Sequence, residues 1–255
     1  MNHSRRTFLK IMGLSLVGVS IKPGFEALGG GDSPKISRYP ERLVGKRWAM
    51  AVSPKKCPSS CRDCIEACHR AHNVPDFKNS KDEIKWIWNE PFRNVFPEQE
   101  HDCLTEGWRR KQVVVLCNHC ANPPCVRVCP TKATFQRKDG VVMMDYHRCI
   151  GCRFCIAGCP YGARSMNYRD PRPFIKEINP GFPTRTKGVV EKCNFCEERL
   201  AKGLLPACVE GCKEKALVFG DLENPEAEIR KILQAHFTIR RKPGLGTRPQ
   251  VYYIV

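Results

Sequence analysis

The sequence is short of acid: 26 Asp and Glu stand against 43 Lys and Arg, a formal charge of +17 over 255 residues. It is also short of long apolar runs. The stretch from Ile11 to Ile21 does not comfortably cross a bilayer, which takes about 20 residues. No Cys-x2-Cys-His occurs, which excludes covalent haem attachment of the usual kind; Cys64 to Cys68 followed by His69 is one residue too long. No nucleophile stands with its base, and the glycine run Gly29-Gly30-Gly31 falls in the N-terminal region rather than between a strand and a helix, so neither acyl transfer nor phosphate-loop chemistry is indicated. What the sequence has in excess is cysteine, seventeen in all.

Sixteen of these fall into four groups of four. Cys149, Cys152, Cys155 and Cys159, followed by Pro160, read C-x2-C-x2-C-x3-C-P, the bacterial ferredoxin run that holds [4Fe-4S] clusters. In such a run three thiolates bind one cubane and the fourth, on the helix that follows, turns to another. Cys117, Cys120, Cys125 and Cys129, with Pro130, repeat the plan with a wider third gap. Crossing the fourth ligands assigns Cys117, Cys120, Cys125 and Cys159 to one cluster and Cys149, Cys152, Cys155 and Cys129 to a second. The outer groups follow the same rule. Cys57, Cys61 and Cys64 then share a cluster with Cys212, and Cys193, Cys196 and Cys208 share one with Cys68. Two departures mark this outer half: three residues separate Cys57 from Cys61, and neither Cys68 nor Cys212 precedes proline. The spare residue either bulges out without moving the sulfurs or marks Cys57 as no ligand, which would bring in the seventeenth cysteine, Cys103. The plain reading of Cys103 is a lone thiol.

Structural zinc, as in a zinc-stabilised binding module, also uses C-x2-C pairs, but four cysteines within eleven residues, twice followed by proline, are more compact than zinc requires. Disulfides fit less well, because cysteines two apart in tight loops bridge poorly. His69, His119 and His147 lie beside cluster cysteines and read as ordinary neighbours, since sixteen thiolates already satisfy four cubanes. Each oxidised cubane with its thiolates carries about two negative charges, so four bring the net charge to roughly +9. Arg148, Arg153 and Arg164 flank the third group and would raise cluster potentials. The remaining basic excess suits an anionic membrane or an acidic partner better than nucleic acid.

Ser4 to Lys10 spell SRRTFLK ahead of the apolar stretch, a twin-arginine export signal. That route carries folded proteins, which suits clusters built in the reducing cytoplasm before delivery to the periplasm or the outer face of the cytoplasmic membrane. The sequence divides into a signal region 1–31, a linker 32–46 and a four-cluster region 47–255. Within the last, an inner cluster pair occupies 113–168, an outer pair draws on 47–72 and 189–222, an insertion covers 73–112, and a helix and tail cover 223–255. Strands are expected at Arg47 to Val52 and Val113 to Leu116, a hairpin at Asp139-Gly140, and a helix capped by Asn224 and Pro225 through about His236. The aromatics of the insertion pack a small lobe over the first cluster pair or form a docking surface. The expected fold class is α+β: duplicated bacterial-ferredoxin-like domains with loop insertions, short strands and short helices around clusters.

From Arg47 onward, RCIGCRFCIAGCPYGAR, KCNFCEERLAKGLLPACVEGC, ALVFGDL and LGTRPQVYY resemble the four-cluster ferredoxin-like electron-transfer subunits that accompany molybdopterin oxidoreductases and related membrane complexes. CHRAHNVPDF and EIKWIWNEPF are most similar to the DsrO-type periplasmic subunits of DsrMKJOP complexes. The resemblance implies a non-catalytic relay, four [4Fe-4S] clusters, an NrfD-like (DsrP-type) integral membrane partner that handles quinone, and a multihaem cytochrome c (DsrJ-type) nearby. Its setting would be dissimilatory sulfur metabolism. A subunit serving a molybdopterin reductase or a hydrogenase is the alternative.

Overall fold

A computed structural model describes residues 47–255; the export motif, the apolar stretch, the glycine run and the linker lie outside the described residues. Strand β1 (Trp48–Val52) forms where expected and is central to a four-stranded sheet. On one edge it runs antiparallel to β8 (Leu217–Asp221), Met50 facing Phe219; on the other it runs parallel to β10 (Val251–Ile254), Met50 facing Val251. β9 (Thr238–Ile239) completes the sheet beside β10. Alternation along β1 serves two cores. Met50 and Val52 face the main core with Phe219 and Tyr253, whereas Ala49 and Ala51 face Ile229 of helix α8 (Glu228–Ala235). The small alanines let that helix sit close.

Helix α8 starts later than Asn224 and Pro225 suggest. The Asn224 side chain instead accepts from Glu226 N at 3.0 Å, closing a turn, and Ala227 is the residue before the helix. The Asp139-Gly140 hairpin forms as expected: β4 (Thr134–Gln136) and β5 (Val142–Met144) pair antiparallel, with Gly140 at φ +84°. A second two-stranded ladder joins β2 (Ile87–Pro91), in the insertion, to β3 (Gln112–Leu116), and a third joins β6 (Ser165–Met166) to β7 (Val190–Glu191). Within the insertion, short helices α2 (Phe92–Val95) and α3 (Glu106–Arg110) lie between β2 and β3. Its aromatics belong to the core: Trp86, Trp88, Phe92 and Phe96 are buried, Phe96 edge-on to Tyr253 and Trp86 stacked on His72. This packing places those four rings in the main core rather than on an exposed surface.

The cluster helices differ from expectation in one respect. The fourth cysteine does not lead its helix but follows it. Short helices α4 (Pro124–Arg127), α5 (Phe154–Ala157) and α7 (Ala207–Glu210) each carry the third cysteine as their second residue, and Cys129, Cys159 and Cys212 come one turn later. The exception is Cys68, inside the longer α1 (Asp63–Ala71). One further short helix, α6 (Glu197–Leu200), starts directly after Cys196. Four residues cannot sustain a helix alone, so these turns depend on packing and on what the sulfurs hold. Two glycines permit the closest approaches. A Cβ at Gly151, φ +67°, would lie 2.4 Å from Gly188 O, and one at Gly211 would lie 2.6 Å from Ala67 Cβ, where α7 meets α1.

The long loop from 170 to 188 is held by a buried polar knot. Arg185 donates to the carbonyls of His72 and Asn73 and pairs with Glu191 at 2.6 Å, both side chains fully buried. Trp86 Nε1 donates to the same carboxylate at 2.9 Å. Charges taken this far from water persist only when paired and hydrogen-bonded.

Candidate functional site

Cys117, Cys120, Cys125 and Cys159 line one cavity, together with Tyr161 and Arg164. Cys129, Cys149, Cys152 and Cys155 line another. Each cavity therefore gathers three thiols from one sequence group and the fourth from the other. Burial, followed by the thiolate of Cys117, pushes Cys120 up to about 12. Cys129 is different. Against a burial that would raise it, hydrogen bonds from Thr134 N at 3.4 Å and from Thr131 hold its thiol below the usual value.

The outer cysteines gather from segments over a hundred residues apart. Burial and then the thiolates of Cys212, Cys57 and Cys61 raise Cys64 to about 12. Cys57 is raised by burial and then by Cys61 and Cys212. The extra residue is taken up by a turn in which Cys61 N donates to Pro58 O at 3.1 Å. Cys68 is raised well above the ordinary thiol range by burial and then by Cys208, Cys196 and Cys193. Cys208 is raised by burial, Cys196 and Cys193. Cys103, by contrast, is exposed.

Such sets suit a cubane. Four thiols held close together in low dielectric are costly as separate thiolates, and iron offsets that cost by taking their charge while the protons leave. The backbone supplies donors to the sulfurs: Phe195 N to Cys193 at 3.4 Å, Ala207 N to Cys196 at 3.3 Å and Ala216 N to Cys212 at 3.3 Å. Such bonds, with local charge and exposure, tune cluster potentials. A bound [4Fe-4S] cluster would accept and release one electron; the chain's part is to fix the sulfurs, exclude water and set the local field.

Of the arginines flanking the third group, only Arg164 is buried. It donates to Cys125 Sγ at 3.1 Å and to Thr134 Oγ1 at 3.0 Å. Arg153 is exposed, and the largely exposed Arg148 pairs with Asp145. Of the histidines, His147 is exposed. His119 is buried and stacked on Phe195, accepts from Val142 N at 3.0 Å, and is held neutral by burial. Burial lowers His69 to about 4.

Three groups beside the sulfurs are not singled out by the cysteine spacing: Lys192, His72 and Glu198. Lys192 is buried, donating to the carbonyls of Val142 and Cys193. His72 Nδ1 lies 3.6 Å from Cys68 Sγ, and its Nε2 lies 3.0 Å from Glu198 Oε1. His72, Cys196 and Glu198 bring their ligand atoms within 4.8 Å of one another. Glu198 itself, in spite of burial, is held below the ordinary carboxylate range by its bond to His72. Val189 to Cys193 is an unbroken buried run, so Lys192 turns inward with its neighbours.

No helix among the described residues is long and apolar enough to cross a membrane. A family model for a 4Fe-4S dicluster domain matches residues 111–172 and 179–222. The Hdr-like menaquinol oxidoreductase iron-sulfur subunit 1 of Archaeoglobus fulgidus is 38% identical, covering 98% of this chain and 97% of its own. A tetrathionate reductase subunit of Salmonella typhimurium is 36% identical over 100% of this chain and 89% of its own. The menaquinone reductase iron-sulfur cluster-binding subunit of Nitratidesulfovibrio vulgaris is 34% identical over 82% and 88%. These matches leave the zinc alternative without support, and the cofactors are four [4Fe-4S] clusters. The chain belongs to the family of iron-sulfur electron-transfer subunits of multisubunit oxidoreductases, and is not itself a catalytic subunit.

Proposed function

We propose that the protein is a DsrO-type relay, facing the periplasm after twin-arginine export, that carries electrons between a quinone-interacting NrfD-like membrane subunit and a haem or other redox partner in dissimilatory sulfur metabolism. The observation that carries this reading is the full-length likeness to a menaquinol oxidoreductase subunit, joined to the export motif at Ser4 to Lys10. The ligand sets are Cys57, Cys61, Cys64 and Cys212; Cys193, Cys196, Cys208 and Cys68; Cys117, Cys120, Cys125 and Cys159; and Cys149, Cys152, Cys155 and Cys129. The two cavities and the mutual electrostatic influence of the outer thiols support these sets. The duplicated ferredoxin arrangement and its division into inner pair, outer pair and insertion belong to the same proposal.

The likeness to a tetrathionate reductase subunit favours a second reading, service to a molybdopterin reductase. Purification of the native membrane complex with mass spectrometry of its subunits separates the two: a quinone-type membrane protein with a multihaem cytochrome is expected, and a molybdopterin subunit would sink the DsrO-type reading. Iron and acid-labile sulfide should reach about sixteen each per chain, with interacting EPR signals on reduction. About twelve would remove the cluster of Cys57.

A further inference from the structure

We propose that Lys192 and Arg164 are the buried counter-cations of the cluster held by Cys117, Cys120, Cys125 and Cys159, and that they make it the most easily reduced of the four. The inference rests on the ligand sets above. Burying a cation is costly unless an anion lies close by. Among the described residues neither Lys192 nor Arg164 forms an ion pair with a carboxylate. Lys192 gives its hydrogen bonds to two backbone carbonyls, and Arg164 gives its own to a hydroxyl and a sulfur. Arg164 lines the cavity of Cys117, Cys120, Cys125 and Cys159 and touches Cys125 Sγ, and Val142, whose carbonyl accepts from Lys192, lines the same cavity. One sulfur set therefore has both cations at its wall, Arg164 beside Cys125 and Lys192 beside the backbone of Cys193.

The neighbouring Cys193 set has the opposite bias. It shares Lys192, but the carboxylate of Glu198 lies within 4.8 Å of Cys196 Sγ. Reduction adds one negative charge to a cluster, so a fixed cation favours the reduced form and a fixed anion opposes it. Two neighbouring clusters are thereby driven apart in potential. Lys192 and Arg164 are positioning residues in this scheme, acting through charge rather than ligation.

The test is EPR-monitored redox titration of the iron-loaded protein, reduced with dithionite. Cys120→Ser marks which signal belongs to this set by altering it alone, and that signal should carry the highest midpoint. Lys192→Met, with iron still at about sixteen, should lower that midpoint by at least tenfold in the equilibrium constant for reduction, which is about 59 mV for one electron. Arg164→Gln should act in the same direction, and Arg164→Lys should restore most of the loss. If Lys192→Met does not retain iron, the Arg164 pair carries the same criterion. An unchanged midpoint in a fully loaded variant, or a marked signal that is not the highest, overturns the proposal. A loss of signals from two different sets in Cys120→Ser would instead overturn the ligand assignment beneath it.

Discussion

The inner and outer cysteine sets use the same residue and are built in opposite ways. The inner sets come from one stretch, Cys117 to Cys159, carried on two short helices and one tight hairpin, and several of their cysteines are only half-buried. The outer sets join Cys57 to Cys68 with Cys193 to Cys212, so they cannot gather until α1 meets α7 at the Gly211 and Ala67 contact and β1 takes its place beside β8. Local sets cost little chain entropy to form, whereas distant ones need the whole core in place first. The outer clusters are therefore expected to be as much a fastening for the fold as a store of electrons.

The largest break in that comparison is removal of all the metal. With its apolar core threaded by cysteines and many helices of four residues, the apo-protein should not hold its fold. Chelation under reducing conditions should abolish the native circular dichroism, and a chelated sample that kept it would refute this. Next come single ligand losses. Cys152→Ala, in a half-buried inner set, should remove one cluster and leave about twelve iron atoms. Cys208→Ala should disconnect the outer sets and leave about eight. Equal losses in iron analysis would show that the two pairs are not built differently after all.

Smaller effects sharpen the same contrast. Arg185→Met would leave Glu191 buried and unpaired and free the 170–188 loop from α1, at a cost of about 3–5 kcal/mol in denaturant unfolding of the loaded protein. Protection against hydrogen exchange should fall first around His72 and Asn73, beside the outer sulfurs. The smallest change is Cys103→Ser: the thiol is exposed, so iron content should hold and stability should shift by less than about 0.5 kcal/mol. A drop to about twelve iron atoms would mean that Cys103, not Cys57, is a ligand.

The same division governs what the sequence discloses. The hairpin at Asp139-Gly140 and the strand Trp48–Val52 are legible because turn chemistry and apolar runs are local signals. The start of α8 is not, because Asn224 offers the same side-chain acceptor to a turn as to a helix. The parallel pairing of β1 with β10 is invisible to any local rule, since about two hundred residues lie between the partners. At the site, spacing names the cysteines, and crossing follows from the ferredoxin plan. The charged groups around them do not announce themselves. Lys192 reads as a surface lysine until the burial of its neighbours on both sides is known, and the Arg185 and Glu191 pair joins two segments that no motif connects.

The parallel pairing of β1 with β10 bears on biosynthesis. At roughly 5–20 residues per second, a ribosome that has released β1 needs on the order of 10–40 seconds to deliver its partner strand. Throughout that interval the β10 edge of β1 stands open, a template for mispairing with other nascent chains. The inner cysteine run emerges early enough to take up iron during that wait. A translation product cut short before Val251 would leave that edge open for good, and it is expected to be recognised as defective.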